Sequence, residues 1–165
     1  EPQPEPPPPA VGPESEPPPA VPEPEPHGTA PLVGTTWELL EQYASEDIPD
    51  PPQGRVLFHF TDSEDQMLQA EGPVNQIMGS YDYAVRESTS GSPDYEEGSL
   101  SLFRLARTRK TGPYIRYEDL MLSNMELVQG YYINGERPLE SRLTIFGGYG
   151  REEIILFVLD AIEVP

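Results

Sequence analysis

The sequence predicts a mainly β protein, in which an antiparallel sheet curls into a small barrel and one helix is inserted late in the chain. Three observations predict this fold. Short segments of alternating apolar and polar residues recur after residue 31, separated by clusters of Gly, Pro, Ser and Asp. One later segment changes to the period of an amphipathic helix. The residues before 32 show neither pattern.

Residues 1–31 are proline, glutamate and little else. They hold 14 of the 22 prolines and six Glu, with no Lys, Arg or aromatic residue. Such a segment has almost no apolar surface to offset the entropy of ordering its backbone, so we expect a disordered tether. As polyproline II it would extend roughly 100 Å. The sequence therefore predicts a tether over 1–31 and one domain over 32–165.

Alternation predicts the strands of the first half of the domain. In the clearest case Val56, Phe58 and Phe60 share one face, and the residues between them share the other. Proline, glycine and acidic clusters predict the loops between strands. The predicted strands are 35–40, 55–60, 66–71, 80–85 and 99–103, and the predicted loops are 48–54, 61–65 and 88–98.

A helix and the remaining strands follow. An apolar stripe of helical spacing predicts the helix, with Pro113 near its start and Gly130 at its end. Asn134 and the glycine after it signal a turn. The last predicted strand, 153–159, is an unbroken apolar run, which predicts a central strand covered on both faces. The stripe consists of Tyr117, Leu120, Met121, Asn124, Leu127 and Val128, and strands are predicted at 131–133 and 139–146, with a hairpin turn at 147–150.

The net charge of −19 limits the classes of partner. Six of the 29 acids and none of the ten bases lie in the tether, which leaves −13 on the domain. This sign argues against nucleic acid and against docking on anionic lipid. There is no Cys, and no apolar run approaches the roughly 20 residues that span a bilayer. Because the chain starts at Glu1, we expect an upstream signal peptide, lipidated Cys or further domain.

Two segments, around Asn75 and around Thr108, differ from ordinary strand-and-turn sequence. Gly79 follows Asn75 by four residues, and Tyr81 comes two residues later. An Asn amide can satisfy backbone groups at a tight turn, and Gly79 can adopt a positive φ or allow close backbone approach. Thr108 precedes Pro113, where it can cap the helix or hydrogen-bond the loop. We therefore interpret both segments as structural, with ligand contact as the alternative for Asn75.

Together these segments resemble the META domain, the heat-shock-protein HslJ-like family. The family pattern opens with L-x-G-x-x-W, continues with G-C-N-x-x-x-G-x-Y, and has T-x-M-A-C-P before a helix with an early Glu. The opening pattern is shifted here by one residue. The matching residues are Leu32, Gly34, Trp37, Asn75, Gly79, Tyr81, Thr108, Pro113 and Glu118.

The resemblance covers about residues 32–159 and implies a lipocalin-like small barrel. Members are often secreted, periplasmic or lipid-anchored bacterial proteins without an established enzymatic activity. Val74 and Gly112 stand where the family has cysteines, and Lys110 and Thr111 replace its Met-Ala, so any work of those cysteines is lost in this chain. We expect Trp37 to anchor the core or one barrel end, with a ligand platform as the alternative.

One basic cluster interrupts the acidic sequence. It holds half of the basic residues and precedes or enters the predicted helix. Two interpretations stay open: the cluster pairs with the surplus acid of the domain, or it forms an anion- or partner-binding patch. The cluster consists of Arg104, Arg107, Arg109, Lys110 and Arg116.

No catalytic or metal constellation is recognisable. His27 lies in the tether and His59 on a strand, and two unrelated histidines do not make a zinc site. The acidic turn at 62–65 lacks the glycine and the final Glu of an EF-hand loop. We therefore predict a protein that is not an enzyme and has no cofactor and no bound metal.

The leading hypothesis is a monomeric, non-enzymatic META-type accessory or binding domain of the bacterial cell envelope. It would be extracytoplasmic, as a periplasmic protein or a membrane-anchored lipoprotein that meets the membrane only through an N-terminal anchor. It would act through contacts with an envelope protein, made by exposed aromatics such as Tyr131, Tyr132 and Tyr149. The alternatives are a lipocalin-like binder of a small apolar ligand and a protein inhibitor of a hydrolase.

Overall fold

The computed structural model describes residues 2–10, 12–13, 17–20, 26–44, 47–87, 91–149 and 152–165. Within them eight strands and one α-helix follow one another along the chain. These are β1 (Thr36–Gln42), β2 (Leu57–Phe60), β3 (Met67–Glu71), β4 (Gln76–Arg86), β5 (Tyr95–Arg107), α1 (Ile115–Glu126), β6 (Val128–Asn134), β7 (Arg142–Tyr149) and β8 (Glu152–Glu163), with a 3-10 turn (Pro138–Glu140) before β7.

The strands form a closed antiparallel barrel in sequence order, and β1 pairs with β8 to complete it. This confirms the predicted fold class, a mainly β lipocalin-like small barrel with one late helix. Closure pairs the strands around the whole ring and leaves no outer strand that could recruit another chain.

Because neighbouring strands alternate in direction, the barrel has two distinct ends. Strands β1, β3, β5 and β7 run towards the end that carries α1, which we call the helix-capped end. Gln42 donates from Nε2 to the Tyr117 carbonyl at 3.0 Å, and Asn124 donates from Nδ2 to the Tyr43 carbonyl at 2.8 Å. These two bonds fasten α1 across the end of β1.

The N-terminal segment joins the barrel at the opposite end, which we call the tether end. Gly28 donates its N–H to the Glu136 carbonyl, and Thr29 donates to the Pro93 carbonyl. Ala30 is fully buried, so packing begins before the boundary expected at residue 32. The described residues among 2–20 lie outside helices and strands and are exposed.

The C-terminus reaches this tether end too. Gly34 has a φ of 85°, and a Cβ added there would lie 3.3 Å from Cγ of Pro165. The last described residue therefore packs against the chain just before β1. Both termini of the folded part leave from one end of the barrel, and α1 covers the other.

The barrel interior is a packed core. Phe58 meets Phe157 edge to face at 5.3 Å between ring centroids, and Phe60 meets Tyr81 at 5.2 Å. Aromatic pairs in this geometry add to the stabilisation that area burial gives. The helix closes the core with Tyr117, Met121 and Met125, all of them buried, and the largest fully buried side chains are Trp37, Tyr81, Tyr131, Phe58, Phe60 and Phe157.

Several predicted boundaries were wrong, each for a local reason. The helix ends at Glu126 and not at Gly130, because the β-branched Val128 starts β6. Ile155 is 45% exposed, so β8 is covered on one face only. Strand β5 begins at Tyr95, inside the loop expected over 88–98, of which 88–90 lie outside the described residues. Strand β7 continues to Tyr149 through the expected 147–150 turn, whose residue 150 is not described.

Candidate functional site

A network of buried polar groups lies at the helix-capped end, and Asn75 is its centre. Its Oδ1 accepts the backbone N–H of Lys110 at 2.7 Å and the hydroxyl of Thr108 at 2.8 Å. Its Nδ2 donates to Oε1 of Glu118 at 2.6 Å and to the Lys110 carbonyl at 3.1 Å. An Asn amide offers two donor hydrogens and two acceptor lone pairs. All four positions are therefore used.

Glu118 lies in the first turn of α1 and is fully buried. Its Oε2 accepts the backbone N–H groups of Val74 at 3.0 Å and Asn75 at 2.7 Å. Its Oε1 accepts from Asn75 and from Nη1 of Arg107 at 3.2 Å. A carboxylate in the first turn also interacts favourably with the helix dipole. Both oxygens of this buried carboxylate therefore have hydrogen-bond donors, as a buried polar group requires.

The network joins three segments that are distant in sequence. Gln76 and Thr108 exchange two bonds, from the Gln76 N–H to the Thr108 hydroxyl at 3.2 Å and from the Thr108 N–H to the Gln76 carbonyl at 3.1 Å. A Cβ added to Gly72 would lie 2.7 Å from Oε2 of Glu118, so the turn can approach the helix this closely only with glycine. We call Asn75, Arg107, Thr108 and Glu118 the buried motif network, after its two buried members, Asn75 and Glu118; Arg107 is half-buried and Thr108 is exposed.

The two buried members of this network, Asn75 and Glu118, hold the fold together and have no bonding position left for chemistry. A general acid or base must reach the proton that it transfers, with hydrogen-bonding capacity left for the substrate. Glu118 is fully buried and already has four donors, and Asn75 has no free position. The network therefore acts by fixing α1 to the β3–β4 turn and to the end of β5.

Of the two roles considered for Gly79, the structure shows close approach and not a positive φ. Two residues of β5, Arg104 and Leu105, oppose Gly79 alone, between the pairs that Met78 and Ser80 make. A Cβ on Gly79 would lie 2.6 Å from Cδ2 of Leu105. The positive φ of this bulge, 52°, belongs to Arg104. Gly79 therefore serves close approach.

Tyr81 and Trp37 both lie in the core. The Tyr81 hydroxyl donates to the Thr61 carbonyl at 2.7 Å, and burial raises the pKa of Tyr81 to about 12. Trp37 is fully buried, and its Nε1 donates to the Leu32 carbonyl at 3.2 Å. Neither ring is exposed as a ligand platform. Pro113 immediately precedes Tyr114, the N-cap position of α1.

The basic cluster divides into two groups. Arg107 bonds Glu118 and also pairs with Asp119, with 2.7 Å from Nη2 to Oδ1. The other four side chains are exposed. None of the four has an ion pair within the described part of the chain. We call these four residues the basic patch: Arg104, Arg109, Lys110 and Arg116.

Two of the aromatics proposed for contact, Tyr131 and Tyr132, have described side chains, and they are not both at the surface. Tyr131 is fully buried, and its hydroxyl donates to Oε1 of Glu96 at 2.8 Å, so its predicted exposure was wrong. Burial, followed by this bond to Glu96, raises the pKa of Tyr131. Tyr132 is half-buried and stacks on Tyr95. The side chain of Tyr149 lies outside the described residues. The register of β6 determines which of the two adjacent residues, Tyr131 or Tyr132, faces the core. Because both are tyrosines, the sequence does not indicate which one is buried.

Several other apolar side chains are exposed, and sequence reasoning missed a group of them at the helix-capped end. Leu40, Tyr43, Ile48 and Ile155 are between 39% and 45% exposed, and all four are at the helix-capped end. A groove of about 580 Å³ runs between α1 and β8 and includes Tyr43 and Ile155. A second groove, of about 530 Å³, includes Ile48 and Tyr114. An isoleucine inside a proline-rich loop, as at Ile48, was the signal available in the sequence.

Comparison with known proteins adds the fold and no activity. Within the described residues, no helix combines the length and the apolar character needed to cross a bilayer. No model of a known protein family matches the chain, and no curated protein matches it. The chain is similar to a solved structure described as the NMR structure of a protein from Burkholderia xenovorans. The two share 18% identity with a TM-score of 0.53, over 93% of this chain and 98% of that one.

Proposed function

We propose that this chain is a META-type accessory domain of the bacterial cell envelope, which acts through protein contacts and not through catalysis. One observation carries the proposal: the tether joins the barrel at the end opposite α1. A domain held at that end presents its helix-capped end outward. The exposed apolar side chains Leu40, Tyr43, Ile48 and Ile155 lie at this outward end.

The state of the polar groups supports contact over catalysis. The residues that match the META pattern at Asn75, Thr108 and Glu118 bond one another, as the buried motif network. The packed interior likewise favours contact at the surface over a ligand held in the barrel. The described grooves open to solvent beside α1, where a second protein can reach them.

In-cell photo-crosslinking tests the proposal. A photoreactive amino acid is placed singly at Ile48 and Ile155, at the helix-capped end, and at Leu139 and Val85 as matched controls. Leu139 and Val85 are also exposed apolar residues, 60% and 55%, but they lie at the tether end. We expect a discrete protein adduct from the first pair and none from the controls. No adduct, or equal adducts from both ends, would contradict the proposal.

The extracytoplasmic location has its own test. Fractionation of the cells that encode the chain should place it in the periplasm or with the membrane, and a cytoplasmic pool would contradict this part of the proposal. Incubation with proteases and lysozymes tests the inhibitor alternative. A fall in hydrolase activity in proportion to added chain would favour inhibition over an accessory role.

A further inference from the structure

The basic patch consists of exposed cations near the end of β5 and around the start of α1, on a very acidic protein. The chain has 29 acidic and ten basic residues, yet four of the bases have no acidic partner among the described residues. From residue 104 to residue 117 the sequence contains no Asp or Glu. The next two acids, Glu118 and Asp119, are both bonded to Arg107. The surplus acid of the domain therefore leaves this surface uncompensated.

Arg104 provides a second and independent observation. Its φ of 52° lies in the left-handed region, which a residue other than glycine adopts only with strain. Such outliers concentrate at functional positions, where the surrounding structure holds the strain. Arg104 is exposed, and its guanidinium lies 5.8 Å from the ring centroid of Phe103, which is itself 37% exposed. The bulge thus presents a cation beside an aromatic ring.

A groove with a mixed polar and apolar lining adjoins the cations around the start of α1. Arg116 lines the groove of about 530 Å³ together with Ile48, Pro49 and Tyr114, and the carboxylate residue Asp50 lines it as well. Arg109 and Lys110 line a neighbouring groove of about 370 Å³. A ligand that matches both features carries carboxylates and at least one apolar side chain.

We propose that the basic patch binds an acidic, extended segment of a partner protein. Its carboxylates pair with Arg104, Arg109, Lys110 and Arg116, and an apolar side chain enters the groove beside Tyr114. Arginine suits this role because its planar guanidinium can hold a carboxylate with two parallel bonds. This inference rests on the proposed function, since it names the chemistry of the partner that the helix-capped end contacts.

Two other occupants fit less well. Nucleic acid binds through many phosphate contacts and needs an extended basic surface. The basic patch offers four cations on a molecule of net charge −19, which would repel the phosphates. The Pro/Glu tether of the same chain enters at the opposite end, and its described residues among 2–20 are exposed. The tether carries six Glu as well, so the exposure of its described residues, and not charge, favours a separate protein with an acidic segment as the occupant.

Peptide display on the full chain tests the inference. A random peptide library is panned against the immobilised protein, and enriched peptides are synthesised with a fluorescent label for anisotropy titration. The test variant is Arg109→Gln with Arg116→Gln. The matched control is Arg55→Gln with Arg86→Gln, which removes the same charge from exposed residues outside the patch.

We expect enriched peptides to be acidic and to contain an apolar residue. We also expect the patch variant to bind them about tenfold more weakly, the control to bind them like the parent chain, and added salt to weaken binding. Neutral or basic peptides, no enrichment, or equal binding by the patch variant would overturn the inference. So would single-stranded DNA that binds the parent chain and not the patch variant.

The two proposals can fail separately. Unchanged crosslinks from Ile48 and Ile155 in the variant with both Arg109→Gln and Arg116→Gln would support the accessory function. That result would also refute the inference that the partner binds through an acidic segment. Absence of crosslinks in the parent chain, with acidic peptides still bound through the patch, would refute the envelope contact and leave the binding chemistry standing.

Discussion

Replacing Glu118 with glutamine tests whether the buried motif network stabilises the fold. The substitution keeps the shape of the side chain and changes one acceptor oxygen into an NH₂ donor. With its oxygen placed on the backbone N–H groups of Val74 and Asn75, the new NH₂ would face Nδ2 of Asn75 and Nη1 of Arg107, which are both donors. The Asn75 amide cannot turn to accept, because its Oδ1 already holds Lys110 and Thr108.

The size of the effect follows from these lost bonds. A buried donor left without an acceptor costs about 1–3 kcal/mol, and bonds to charged groups lie at the upper end. Arg107 keeps its pair with Asp119 and its side chain is 30% exposed, so its share lies at the lower end. We expect Glu118→Gln to lower the free energy of unfolding by about 3 kcal/mol, or Tm by about 10 °C for a domain of this size.

Urea unfolding followed by tryptophan fluorescence measures this change. The chain has one tryptophan, Trp37, and it is fully buried in the core, so its emission reports on the whole barrel. Glu126→Gln is the matched control, because Glu126 is the exposed last residue of the same helix. It should change the free energy of unfolding by less than about 0.5 kcal/mol. A loss below about 1 kcal/mol for Glu118→Gln would refute the stabilising role of the network.

Three further predictions concern the bulge and the buried Tyr81. Arg104→Gly should raise the free energy of unfolding by up to about 1 kcal/mol in urea titration, because glycine adopts the positive φ without strain; a net loss would show that Arg104 is not strained. Gly79→Ala should lower it by about 1–3 kcal/mol, since its Cβ would lie 2.6 Å from Cδ2 of Leu105, and unchanged stability would contradict the close approach. The pKa of Tyr81 is raised to about 12 from 10.0, so between these pH values the phenol ionises in the unfolded state and stays neutral in the folded state. The stability that Tyr81 contributes should therefore be intact below pH 10. It should fall by about 2–3 kcal/mol as the pH rises towards 12. Urea titrations between pH 10 and 12 should show the free energy of unfolding falling with pH, and Tyr81→Phe should reduce that fall. An equal fall in both proteins would show that Tyr81 is not its source.

The sequence predicted the fold class because alternation and turn residues repeat often enough to outweigh local errors. It missed the length of β5, whose predicted end was Phe103. The bulge at Arg104 inserts one residue there, and the alternation changes phase, so the rest of the strand no longer follows the pattern. A bulge depends on the partner strand and leaves no period in its own sequence.

The buried motif network was visible only in part from the sequence. Asn75, Thr108 and Glu118 were singled out because their spacing resembles a family pattern, and the structure brings all three together. Arg107 was placed in the basic cluster, for which pairing with the domain's own acid was one of two open interpretations, and its guanidinium bonds the buried Glu118. The sequence gives the charge of Arg107 and of Glu118. Whether the two come into contact depends on how the turn after β3 packs against the start of α1, which the sequence pattern does not show.

Pro165 packs beside Gly34, so the last described residue lies close to the residues that precede β1. A short linker from the C-terminus to the start of the domain, with a new opening between Tyr149 and Glu152, would give a circular permutant with every strand pair preserved. In that permutant a Pro/Glu tether would be attached at the β7–β8 hairpin, beside α1. The surface beside α1 would then lie next to the tether, whereas in this chain it lies at the opposite end, and the orientation of the domain relative to the tether could be changed without altering its core.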